Sequence, residues 1–194
     1  MKKLAIMTFS ACVIALFAAP TPVSAAAPSD AVAQKTIKTL LNTIRYGKDD
    51  LAAKQVAFTT MAKELLADAW GKASAAEQKE IAEGLEVLIR RISFPAGRKM
   101  FKHLDAVLYD KVRTKGEQAL CKTTVVVHRN YKKTEIIIDF VLVEEAGAWK
   151  VVDTILVGES TLEAIREDDV EPLLDEGGMA ALLKALRKKI KETE

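Results

Sequence analysis

Cysteine is almost missing from this chain. Of two in 194 residues, Cys12 lies in an N-terminal apolar stretch and Cys121 alone follows it. An intramolecular disulfide is therefore excluded after removal of that stretch, even in a compartment that permits one. Cys121 has no activating neighbour in the sequence and reads as a buried, inert thiol rather than a nucleophile. Histidine is equally scarce. His103 and His128 fall in different elements without ligand spacing, which argues against a metal site. There is no glycine-rich phosphate loop and no nucleophile elbow, so no resident cofactor is expected. A surplus of one charge sign is missing too. The 29 basic residues exceed the 27 acidic ones by two, and Lys2 and Lys3 belong to the leader. The remainder is balanced, whereas nucleic-acid binding calls for a basic excess on one face.

What is present begins with Met1-Lys2-Lys3 and a mostly apolar run from Leu4 to Ala19, broken by Pro20-Thr21-Pro22. Val23-Ser24-Ala25 or Ser24-Ala25-Ala26 then supplies small residues for cleavage. A basic start, a short apolar region and a small-residue end describe a secretory signal peptide. The run is short for a membrane span of roughly 20 residues. Phe9-Ser10-Ala11 before Cys12 is faintly lipoprotein-like, but the apolar region continues through Phe17. Residues 1–26 are read as the signal and 27–194 as one domain, long enough to build a core without staples.

The first half has helical period. Ser29 or Asp30 caps a helix carrying Val32, Ile37, Leu40, Leu41 and Ile44, and Gly47 stops it. A second helix starts at Asp49-Asp50, with Leu51, Phe58, Met61, Leu65 and Leu66 as its apolar positions. Ser74-Ala75-Ala76-Glu77 has capping-box spacing and opens a helix with Ile81, Leu85, Leu88, Ile89 and Ile92 on one face. Gly84 is either a tolerated weak point or a place of close approach by another element. Phe94-Pro95 ends or kinks this helix, and a shorter amphipathic segment carries Met100, Phe101, Leu104 and Leu108.

The period then changes to two. Strands are expected over residues 119–128, 134–143 and 148–157, joined by Arg129–Lys133 and by Glu144–Gly147. Helical pattern returns between Thr161 and Glu167 and from Met179 to Ile190, with Gly177-Gly178 between. Helices, consecutive antiparallel strands, then helices make an α+β order. In the central strand Ile136, Ile138, Phe140 and Leu142 share one face, while Ile137, Val141 and Val143 share the other with Glu135 and Asp139. Strict alternation in the third strand puts Trp149, Val151, Asp153, Ile155 and Val157 together, opposite Val152 and Leu156. Both sheet faces need cover. Helices on both sides, or helices on one side and an apolar pocket on the other, would supply it.

Four patterns, in order, carry a family resemblance. They are Leu66–Gln78 with its Trp70 and polar cap; Leu108-Tyr109-Asp110-Lys111 followed by Gly116–Ala119 and Thr123–Val126; Ile136–Phe140 followed by Gly147-Ala148-Trp149-Lys150-Val151-Val152-Asp153; and Gly158-Glu159-Ser160, Arg166 and the Gly178–Leu183 helix start. Behind a signal peptide, this series resembles the MlaC family, the toluene-tolerance or ABC-transporter auxiliary proteins. The chain departs from the family pattern at Ile92–Pro95, Glu163–Ile165 and Asp168–Val170.

The resemblance implies a curved antiparallel sheet wrapped by helices around an apolar cavity, a fold similar to nuclear transport factor two. It further implies a periplasmic phospholipid shuttle that works between an outer-membrane lipoprotein and porin complex and an inner-membrane ABC transporter, with transient membrane contact and no catalysis. Under it, Phe101, Leu104, Ile138, Phe140, Val151 and Ile155 are the expected lining for acyl chains, each of which costs about 0.8 kcal/mol per CH₂ to expose to water. Arg98 or Lys102 would be near a phosphate head, although a solvated charge accounts for either. The basic tail Lys184–Lys191 is a solvated helix end with cations complementing its dipole, or a contact for membrane or partner. Two other readings stay open. One is a small enzyme using Asp139 or Asp153 as base, against which stands a structural carboxylate bonded to backbone N–H groups. The other is a transporter adaptor that carries no lipid.

Overall fold

A computed structural model describes residues 27–129 and 131–194. The expected signal peptide, Cys12 with it, and Asn130 of the first hairpin turn lie outside the described residues. Ser29 caps α1 (Asp30–Arg45), its hydroxyl accepting from Val32 N, and Gly47 at φ 68° turns the chain out of the helix. The second expected helix is two: α2 (Asp49–Ala53) and α3 (Phe58–Leu66). Between them the backbone extends, because Val151 takes its hydrogen bonds. Ala57 N donates to Val151 O at 2.8 Å and Val151 N to Gln55 O at 2.8 Å. The same linker thereby covers an edge of the sheet that would otherwise be unpaired.

A 3-10 stretch (Ala67–Lys72) leads to α4 (Ala75–Leu88), which opens with the full reciprocal capping box of Ser74 and Glu77. Helix α4 runs through a π turn (Ile89–Ser93) straight into α5 (Phe94–Phe101), and Pro95 follows directly on the π turn, where the helical hydrogen-bond ladder is already shifted. Leu104 and Leu108 are not helical. They lie in β1 (Leu104–Tyr109), and a bulge between Leu104 and Ala106 brings Leu104, Val107 and Tyr109 to one face. A spacing of four suits one helix face, but in the strand the bulge parts the pair, leaving Leu104 buried and Leu108 59% exposed.

Strands β2 (Arg113–Lys115), β3 (Gln118–Arg129), β4 (Lys132–Glu145), β5 (Ala148–Leu156) and β6 (Glu159–Ser160) complete an antiparallel sheet of order β1-β3-β4-β5-β6, with β2 also on β3. The turns Ala146-Gly147 and Val157-Gly158 have positive φ at both residues, as tight two-residue hairpin turns require. Helix α6 (Thr161–Ile165) passes through a second π turn (Arg166–Val170) into α7 (Glu171–Glu192). Helix α7 breaks where expected, at Gly177 and at Gly178 with φ 63°. Both π turns coincide with places where the sequence departs from the family pattern.

Helices cover both faces. On the first, Ile37, Leu41, Phe94 and Phe101 pack against Val125, Ile138, Phe140, Leu142 and Val151. On the second, Leu65, Leu66, Ile81, Leu162, Leu182 and Leu183 pack against Val141, Val143 and Val152. Gly84 marks a close approach. A methyl group there would sit 2.6 Å from Leu186 Cδ2, so α7 lies directly on α4. Arg187 pins the same contact with a two-pronged bond to Glu80 at 2.6 and 2.8 Å. The basic tail is thus a docked helix. Among the described residues no helix is long and apolar enough to cross a membrane.

Candidate functional site

The structure brings together five of the six expected lining residues. Phe101, Leu104, Ile138, Phe140 and Val151 meet in the first-face core and are only 3–9% exposed. Ile155 is parted from them. Between Val141 and Leu142 the register with β5 shifts: Val141 pairs with Asp153, but Leu142 pairs with Val151. Val152 is the extra residue of a β-bulge. From there on the alternation is reversed, so Val152 and Ile155 both join the second-face core. This differs from the strictly alternating strand expected from sequence.

Ile155 opens onto a pocket of about 480 Å³ on the second face. Leu120, Val141, Ile155 and Leu162 give it an apolar floor, and its walls carry Glu64, Lys115, Gln118, Asp153, Ser160, Glu163 and Arg166. The charged groups do different things. Asp153 is fully engaged: Oδ1 accepts from Thr154 N at 2.7 Å and Leu162 N at 2.9 Å, and Oδ2 from Ser160 Oγ at 2.6 Å. It fastens the start of α6 to β5, which is the structural role weighed for it against a general base. Arg166 lies between Glu163 at 3.6 Å and Glu171 at 3.2 Å. Glu64, on α3, accepts from Gln118 Nε2 at 2.9 Å. Burial pushes its carboxyl above the ordinary range, and the Gln118 bond offsets only part of that.

A wider groove of about 730 Å³ runs between α2, the start of α3 and α4. Ala53, Val56, Phe58, Trp70 and Ala82 form its floor. Its rim charges largely neutralise one another: Arg90 with Asp50 at 2.7 Å and Glu86 at 2.8 Å, Lys79 with Glu83 at 3.7 Å, and Lys150 with Glu145 at 3.3 Å. Glu145 also accepts from Thr60 N at 2.8 Å, which caps α3 from the far end of β4.

The remaining candidates differ in their surroundings. Cys121 is buried in the first-face core, and burial pushes its thiol up to about 11. Arg98 ties α1 to α2, donating to Ile44 O at 3.2 Å and Asp49 Oδ1 at 2.6 Å; Lys102 is exposed. Asp139 lies on the second face, where its Oδ1 is buried without a hydrogen-bond partner among the described residues. No cluster of three or more His, Cys, Asp or Glu suited to a metal occurs among the described residues. Sequence reasoning passed over Glu64, Lys115 and Gln118, which lie up to 54 positions apart and meet only through folding.

No curated protein sequence matches the chain. A phospholipid-binding protein from Ralstonia solanacearum, solved in complex with a phospholipid, shares the fold at TM-score 0.69 and 17% identity, over 86% of this chain and 99% of that one. Weaker likenesses, too low to carry an argument, are to a substituted chain whose name carries NTF2 (TM-score 0.39, 14% identity, 63% of this chain and 93% of that one) and to a protein of unknown function from Mycobacterium tuberculosis (TM-score 0.33, 11% identity, 84% and 89%). The sequence model of the MlaC protein family matches residues 31–188, and the chain belongs to that family.

Proposed function

We propose that this protein is a periplasmic phospholipid carrier, delivered by the signal peptide of residues 1–26 with residues 27–194 as its single lipid-binding domain. It shuttles lipid between an outer-membrane lipoprotein and porin complex and an inner-membrane ABC transporter, with transient membrane contact. It binds rather than catalyses. Family membership across residues 31–188 carries the reading, and the fold shared with a phospholipid-bound protein supports it.

The two faces divide the work. Acyl chains need continuous carbon that can be reached from water. The first face buries Phe101, Leu104, Ile138, Phe140 and Val151, and in this reading those five residues hold the sheet in shape. The second face opens through the pocket at Ile155, and its core is flanked by partly buried Leu173, Leu174, Met179 and Leu186. Its helical cover is in two pieces, jointed at Gly177-Gly178, so it parts more readily than a continuous rod. Acyl chains enter there, between β3–β5 and α3, α6 and α7.

Native mass spectrometry of the mature protein from the periplasm, with lipid identification after denaturation, tests this. A stoichiometric mass excess resolving to phospholipid is expected. A bare mass together with no uptake from labelled vesicles overturns the carrier in favour of an adaptor. Turnover lost in Asp139→Asn with lipid binding kept would return weight to the enzyme.

A further inference from the structure

Two opposite charges face the second-face pocket without neutralising each other. Glu64 projects from α3 and Lys115 from β2. Gln118 stands between them: it is the ladder partner of Lys115 and donates to Glu64 at 2.9 Å. Both charges are therefore neighbours of one glutamine, yet among the described residues neither forms a salt bridge. Of the other charged groups of this pocket, Asp153 accepts from three donors, and Arg166 lies between Glu163 and Glu171 with its buried Nε making no hydrogen bond among the described residues. Such an arrangement leaves a desolvation cost at Glu64 that the Gln118 bond and the charge of neighbouring Lys63 offset only in part, with Asp153 adding a like charge.

A ligand with both signs at a short separation removes that cost. We infer that this pocket receives a zwitterionic lipid headgroup, a phosphodiester bearing a primary ammonium. The ammonium sits at Glu64, with Gln118 fixing the carboxylate's orientation. The phosphate sits at Lys115. The glycerol and first methylenes lie on Leu120, Val141, Ile155 and Leu162, which form the floor directly beneath. Three N–H donors of an ammonium suit a carboxylate with a free oxygen, while a purely anionic headgroup would meet Glu64 as a like charge. The inference rests on the carrier reading and adds selectivity among phospholipids.

The test is loading from vesicles of equal phosphatidylethanolamine and phosphatidylglycerol, followed by quantitation of extracted lipid. Wild-type protein should be enriched several-fold in the ethanolamine lipid relative to the vesicles. Glu64→Gln keeps the shape and an acceptor for Gln118, and should bring the ratio down to that of the vesicles. Lys115→Glu should lower uptake of both phospholipids relative to diacylglycerol offered in the same vesicles. Lipid bound without headgroup preference, or a preference unchanged in Glu64→Gln, overturns the headgroup site and leaves the carrier standing. No lipid in any variant overturns the carrier, and the headgroup site with it.

Discussion

The two faces of one sheet differ in what covers them. The first is closed by α1, α2 and α5 over Ile138, Phe140, Leu142 and Val151, and Thr36 Oγ1 reaches across to Trp149 O at 3.2 Å. The second is closed by pieces: α3, α4, α6, and an α7 broken at two glycines, leaving a pocket walled by polar groups. Both faces of β4 are apolar enough to need cover, although Glu135 and Asp139 interrupt the second. What differs is the cover: on the second face α7 is broken at Gly177-Gly178 and a polar-walled pocket opens at Ile155.

Mutations should separate the faces by size and kind of effect. Phe140→Ala removes a ring that is 3% exposed in the sealed core and is expected to cost about 3–5 kcal/mol in urea unfolding. Ile155→Ala, on the partly open face, should cost only about 1 kcal/mol and lower lipid retention instead. If the two variants lose equal stability, the contrast between the faces fails. Asp153→Ala strips the acceptor from Thr154 N, Leu162 N and Ser160 Oγ, with an expected loss of about 2 kcal/mol. Loosened amide protection confined to α6 and the β5–β6 turn would locate that loss by hydrogen exchange.

Smaller effects test the second-face cover. Ser74→Ala deletes the cap of α4, for about 1 kcal/mol. Glu77 is held below its ordinary range by the Ser74 backbone and hydroxyl bonds. Its share of the cap is present above the unfolded value of 4.5 and fades as pH falls through the lowered folded value. Glu64 has the opposite sign. Its folded pKa is raised, so the ionised carboxylate opposes folding at neutral pH, and Glu64→Gln should raise the melting temperature slightly there. That gain should vanish as pH drops below 4.5, where both states are protonated. A melting temperature that falls in Glu64→Gln at neutral pH would mean the carboxylate is stabilising.

Much of the fold was legible where the signal is local. The capping box at Ser74 and Glu77 depends on four consecutive residues. The break at Gly177-Gly178 depends on two, and the two faces of β4 follow from simple alternation. Gly84 was readable as an alternative, and Leu186 decides it for close approach. The misses share a cause. Leu104 and Leu108 look helical, and Ile155 looks like a partner of Val151, because each assignment assumes an unbroken period. A bulge in β1 and another at Val152 reset that period. The linker between α2 and α3 leaves helical form because a strand remote in sequence exchanges hydrogen bonds with it, Val151 O accepting from Ala57 N and Val151 N donating to Gln55 O.

By itself, then, the sequence determined the α+β order, the helix starts and stops, and a sheet apolar on both sides, since these follow from the side chain and its near neighbours. The tertiary structure alone decided to which face Ile155 belongs and that Glu64, Lys115 and Gln118 line one pocket with it. Those outcomes depend on register and on contacts between distant segments, which a bulge of a single residue can redirect without any local mark in the chain.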